Sequence, residues 1–158
     1  GAIIMAKFFD AGEIFEMAIK MEQNGAQFYR DAAANVTDEE HKKLLLDLAE
    51  MEVDHEKIFT GLRRDLEAEI NDYYDPDGTA VAYLQSIVDT EVFFKREIDL
   101  SSMDAILREA IMAEKDSIVF YVGMKDLVPG DDGKNKIEAI IKEEMGHIRL
   151  LSGILKEL

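Results

Sequence analysis

Apolar residues recur along the chain in alternating steps of three and four over four long stretches, the spacing that buries one face of an α-helix. They predict helices over about 11–34, 38–70, 102–127 and 134–158. Prolines number only two, and "VPGDDG" separates the last two stretches. Asp10 with Glu13, Thr37 with Glu40, and Ser101 with Asp104 have the spacing of capping boxes at the first three helix starts. Short connections join the first helix to the second and the third to the fourth, so each pair is expected to pack antiparallel. Between the pairs, "NDYYDPDG" reads as a loop. "TAVAYLQSIVDTEVFF" has helical spacing at Val81, Leu84 and Val88 and predicts a crossover helix along the bundle. The expected fold is all-α: one domain over 1–158, an antiparallel four-helix bundle with a long crossover that contains an extra helix.

The apolar stripes contain polar intruders. In the second helix the stripe runs Leu45, Leu48, Glu52, His55, Phe59 and Leu62; in the fourth, Ile137, Ile140, Glu144, His147, Leu151 and Ile154. The first helix carries Phe15, Ala18, Glu22, Gly25, Tyr29 and Ala32, and the third Leu107, Ala110, Glu114, Ser117, Tyr121 and Met124. Glu22 precedes Glu52 by 30 residues, as Glu114 precedes Glu144, and "FY" follows the first Glu of each pair at 28–29 and 120–121. The chain is therefore an internal repeat with an offset of 92 residues, helix pair against helix pair.

Burying a single unpaired carboxylate costs several kcal/mol or more, so something must neutralise four of them. Two divalent cations would do so, since the four carboxylates otherwise repel one another in the core. Oxygen and imidazole donors without sulfur suit iron or manganese, with zinc also possible. A Glu from each of two helices and Glu-x-x-His from each of the other two is the general arrangement of di-iron and di-manganese bundle sites.

Composition narrows the remaining classes. There is no cysteine, which excludes disulfides, zinc-thiolate and iron–sulfur sites and any thiol nucleophile. A net charge of −16 opposes nucleic-acid binding, since phosphate would be repelled. No apolar run approaches the roughly 20 residues that span a bilayer, and a cytoplasmic location is the default expectation. His41 is read as a surface residue of the second helix. Glu50, Glu56 and Glu143 fall off the stripes and are read as solvated. Met21, Met51, Met112 and Met145 are read as core filler, and Glu91 and Glu97 in the crossover as non-ligands.

"AIKMEQNGAQFY", "LAEMEVDHEKIF", "AIMAEKDSIVFY" and "IKEEMGHIRLL" resemble the four helices of the rubrerythrin-like branch of the ferritin-like superfamily, over roughly residues 11–157. The resemblance implies a carboxylate-bridged centre of two iron ions that reacts with hydrogen peroxide or dioxygen, often in a homodimer. By position it implies Glu52 and Glu144 as bridging ligands and Glu22 and Glu114 as terminal ones. His55 would then serve one metal and His147 the other, with Tyr29 and Tyr121 bonded to the metal carboxylates. Rubrerythrin proper has a C-terminal rubredoxin-like domain with four cysteines; the 158 residues hold no cysteine, and no such domain is expected. Electrons would then come from a separate donor such as a rubredoxin, or from ferrous iron itself. The family's extra Glu, three residues after the third-helix ligand, is here Ser117, and its repeat counterpart is Gly25. That departure bears on redox-linked ligand exchange, although small residues there could leave room for a bridging oxygen species. The first expectation for function is peroxide or dioxygen reduction. Iron oxidation for storage or delivery, a manganese catalase-like activity, and a metal-stabilised bundle without turnover use the same ligands.

Overall fold

A computed structural model describes residues 11–66, 78–89 and 98–158, and the described residues form five helices. These are α1 (Ala11–Ala34), α2 (Glu39–Leu66), α3 (Thr79–Asp89), α4 (Met103–Lys125) and α5 (Asp131–Glu157). Helix α1 packs chiefly on α2 and α4 chiefly on α5, which makes the two halves of the repeat two helical hairpins. The hairpins face each other, and the crossover helix α3 lies against α4. No helix among the described residues is long and apolar enough to cross a membrane.

The helix starts differ from the expected caps by one residue. Asp38, not Thr37, accepts the His41 N–H at 3.0 Å ahead of α2. Ser102, not Ser101, accepts from the Ala105 N–H at 3.1 Å ahead of α4. An Asp side chain is both a strong N-cap acceptor and a negative charge at the positive end of the helix dipole, so it outcompetes a neighbouring Thr. Ser101 is engaged differently: its N–H is taken by Asp99 Oδ1 at 2.9 Å. Helix α5 begins three residues before the expected Lys134, directly after Gly130, whose φ of 79° suits a residue without Cβ. Asp10, residues 67–77, the side chain of Val88 and the segment 90–97 with Glu91 and Glu97 lie outside the described residues.

Gly123 lets the crossover helix approach. A Cβ there would stand 2.5 Å from the Tyr83 ring, which lies on α4 with its hydroxyl donating to the Val119 carbonyl at 2.7 Å. Leu84, from the predicted crossover stripe, is fully buried beside it.

The core is divided. One apolar cluster includes Phe15, Phe59, Leu84, Phe120 and Ile137, and the other includes Ala32, Leu45, Leu48, Ile106 and Leu107. Between them the stripes carry their polar residues. Met21 is buried, but Met112 and Met145 are exposed, contrary to their reading as core filler. An unbranched thioether is tolerated on either side of a helix, so its identity alone did not place it. His41 is half-buried at the start of α2.

Candidate metal centre

Glu22 from α1, Glu52 and His55 from α2, Glu114 from α4, and Glu144 and His147 from α5 meet in the middle of the bundle. Each is at most 5% exposed. They form two overlapping quartets: Glu22, Glu52, His55 and Glu144, and Glu52, Glu114, Glu144 and His147. Within each quartet one donor atom per residue lies within 4.8 Å of every other. Glu52 and Glu144 belong to both. His55 Nδ1 lies 3.2 Å from Glu144 Oε1, 3.5 Å from Glu22 Oε2 and 3.9 Å from Glu52 Oε2. His147 Nδ1 lies 3.3 Å from Glu114 Oε1 and 4.0 Å from Glu52 Oε1. The two imidazoles face each other nearly parallel, with ring centres 6.2 Å apart.

The tyrosines tie the hairpins together across this layer. Tyr29 on α1 donates to Glu114 Oε1 on α4 at 2.6 Å, and Tyr121 on α4 donates to Glu22 Oε1 on α1 at 2.6 Å. Burial, followed by the charges of Glu114 and Glu52, pushes the Tyr29 hydroxyl well above the usual phenol range. Burial and then Glu22 do the same for Tyr121. Both therefore stay protonated donors. Each leaves the second oxygen of its carboxylate, Oε2, directed elsewhere.

The electrostatics are those of too many negative charges in one buried space. Burial first, then Glu22 and Glu114, pushes the Glu52 carboxyl well above the usual carboxylate range. Burial disfavours the charged form of His55, but Glu22 and Glu143 outweigh it and raise its pKa. Crowded negative charge thus favours protons on Glu52 and His55, and would favour bound cations for the same reason.

The donor atoms themselves test whether metal fits. Glu22 Oε2, His55 Nδ1, Glu114 Oε2 and Glu144 Oε1 are buried and have no hydrogen-bond partner. Buried polar atoms are nearly always satisfied, so four orphans in one cluster need an explanation. Oxygen and nitrogen lone pairs converging in two quartets, with two carboxylates common to both, fit a pair of divalent cations.

A cavity of about 320 Å³ opens beside the cluster between α1 and α4. Glu52, Glu114 and Tyr29 form part of its wall, and Gly25 and Ser117 line it too. A Cβ at position 25 would touch the Glu52 carboxylate at 3.4 Å, so the glycine keeps this approach clear. Ser117 is half-buried on the opposite helix.

Two neighbours of the cluster were not singled out by the stripe pattern. Glu143, read as solvated, has its Oε2 2.5 Å from His55 Nε2, although half its side chain remains exposed. Met51, read as core filler, places its Sδ 3.3 Å from His147 Nε2. A residue just off a helix's buried stripe can still reach across to the flank of the adjacent helix, which the period of a single helix does not reveal. Glu56 remains at the surface, where it accepts from Gln23 Nε2 at 2.8 Å, and Glu50 is exposed.

Comparison with known proteins agrees with this geometry. The crystal structure of a candidate ferritin-like diiron-carboxylate protein from Thermotoga maritima superposes with a TM-score of 0.68 at 25% identity. The match covers 96% of this chain and 98% of that one. Curated proteins gave no match. The rubrerythrin family profile matches residues 13–155, nearly the whole chain. The chain belongs to the rubrerythrin family.

Proposed function

We propose that the chain is a non-haem di-iron oxidoreductase that reduces hydrogen peroxide or dioxygen. Glu22 and His55 would hold one ion and Glu114 and His147 the other, with Glu52 and Glu144, which belong to both quartets, contributing to each. The observation that carries this reading is the set of orphaned buried donors, Glu22 Oε2, His55 Nδ1, Glu114 Oε2 and Glu144 Oε1, facing one another beside an open cavity. When bound, two ferrous ions supply the two electrons that, with two protons, convert one hydrogen peroxide to two waters.

The chain's own residues have separable tasks. Tyr121 and Tyr29 fix the terminal carboxylates by holding Oε1 of Glu22 and Glu114, which leaves Oε2 as the donor. The apolar clusters above and below the layer keep water out of it. Gly25 and Ser117 leave the α1–α4 side open to a small oxidant. These 158 residues hold no cysteine, so refilling with electrons is assigned to a donor outside them, such as a rubredoxin.

A second reading has one observation in its favour. Asp31, Glu109 and Asp116 line the same cavity, and an acidic approach attracts ferrous ions as readily as it admits peroxide. On that reading the site oxidises iron for storage or delivery. A homodimer in the cytoplasm fits both readings, and the exposed Met112, Val119 and Val122 along the outer side of α4 supply an apolar face for it.

Metal analysis of protein purified anaerobically tests the assignment. Two iron ions per chain are expected, and a content that stays below one after reconstitution with ferrous iron rejects it. Retention of many further iron atoms after aerobic ferrous addition would select the storage reading.

A further inference from the structure

The repeat makes the two halves of the centre equivalent at every donor, yet it fails one residue outside them. Shifting Met51 by the offset of 92 gives Glu143. Both stand immediately before the shared Glu of their own helix, and both touch the outer ring nitrogen of the other hairpin's histidine. His55 Nε2 meets the Glu143 carboxylate at 2.5 Å, whereas His147 Nε2 meets the Met51 thioether at 3.3 Å. The chemistry of these contacts differs in kind. A carboxylate accepts the imidazole N–H, fixes the tautomer with Nδ1 free for a cation, and makes that nitrogen more basic. A thioether is a weak, uncharged acceptor and does little of this.

We propose that Glu143 makes the two metal positions inequivalent, so that the position served by His55 fills first and more tightly than the one served by His147. The inference rests on the reading that the six buried residues hold two cations, and it assigns an order to them. Glu143 touches no expected metal position and acts through His55, as a positioning residue. Its carboxylate also places one more negative charge on the His55 side, where Met51 supplies none on the other. Outer partners of this type are worth about tenfold to a hundredfold in metal affinity. Glu143 is half exposed, so solvent screening favours the lower end of that range.

The chain contains three histidines, which makes the order directly visible. Metal-free protein is titrated with Zn²⁺ while the ring nitrogens are followed by NMR, with His41 at the start of α2 as the internal control. The His55 resonances should shift during the first equivalent and those of His147 during the second. Glu143→Met makes both outer contacts alike and should remove the order. The double exchange Met51→Glu with Glu143→Met should reverse it, so that His147 responds first. Glu143 and Met51 are not in the apolar clusters, and unchanged helical circular dichroism will show that the variants fold. An order that is absent in wild type, or that survives the exchange unreversed, overturns the inference while leaving the two-cation reading intact. If neither His55 nor His147 responds to Zn²⁺, the two-cation reading fails and takes this inference with it.

Discussion

Tyr121 on α4 donates its hydroxyl to Glu22 on α1 over 2.6 Å, in a part of the core where neither side chain meets water. The bond crosses between the two hairpins, and Tyr29 to Glu114 is its counterpart through the repeat. Removing the donor leaves Glu22 Oε1 buried and unsatisfied as well. Tyr121→Phe and Tyr29→Phe should each destabilise the metal-free protein by about 1–3 kcal/mol in chemical denaturation. Losses near zero would mean that the hydroxyls do not hold these carboxylates in solution.

The raised pKa values fix the sign of the pH dependence. Glu52 titrates higher in the fold than its unfolded value of about 4.3, so its contribution is complete below that pH and is lost as pH rises through the folded value. His55 is also raised, so its contribution is complete below about 6.5 and is likewise lost on further rise. Metal binding has the opposite demand, because it requires deprotonated carboxylates and neutral imidazoles. The gap in melting temperature between loaded and metal-free protein should therefore widen steadily from about pH 5 to pH 8. Calorimetry of both forms across that range checks it, and parallel curves would contradict it.

Shared and terminal carboxylates should respond differently to substitution. Glu52 and Glu144 belong to both quartets, so Glu52→Ala or Glu144→Ala should abolish the metal pair. Glu22→Gln and Glu114→Gln each remove one charge while keeping an oxygen for the tyrosine to bond. These two should raise the melting temperature of the metal-free protein while weakening its metal binding. Differential scanning fluorimetry with and without chelator separates the two effects, and metal-free variants less stable than wild type would show that the carboxylates do not repel one another.

The periodicity of single helices made most of this centre legible. Glu52 and His55 stood out because they interrupt a stripe that is otherwise Leu and Phe, and the repeat supplied their partners on α5. Partners across helices were harder to read. Glu143 and Met51 sit beside the stripes, and their direction depends on how two hairpins dock, which no one-helix period encodes. The repeat offset held a usable signal all the same: position 143 matched against position 51 gives an acid opposite a thioether, beside otherwise equivalent Glu and His residues. The one-residue displacement of both caps has a local cause. Thr37–Asp38 and Ser101–Ser102 each place two competent cap residues side by side, and sequence spacing alone does not choose between them.

Ser117 lines the cavity next to Glu114 and Glu52, so there is space for a longer side chain there. Ser117→Glu would add the carboxylate that the family resemblance leads one to expect at this position. Turnover with hydrogen peroxide and a rubredoxin donor should rise in this variant, measured as donor oxidation per chain under anaerobic conditions. A fall in turnover with metal content unchanged would indicate that the open space, and not an added ligand, is what the reaction uses here.

On the proposed function, a diferrous centre in this cluster would be oxidised by peroxide or dioxygen entering through the cavity between α1 and α4. Stopped-flow absorbance of the anaerobic diferrous protein mixed with a single equivalent of hydrogen peroxide tests it most directly. Ferric absorbance should appear rapidly, be complete at one peroxide per metal pair, and then stall until an external reductant is added. If peroxide and dioxygen both leave the protein ferrous over minutes, the metal pair is structural and the oxidoreductase reading is wrong.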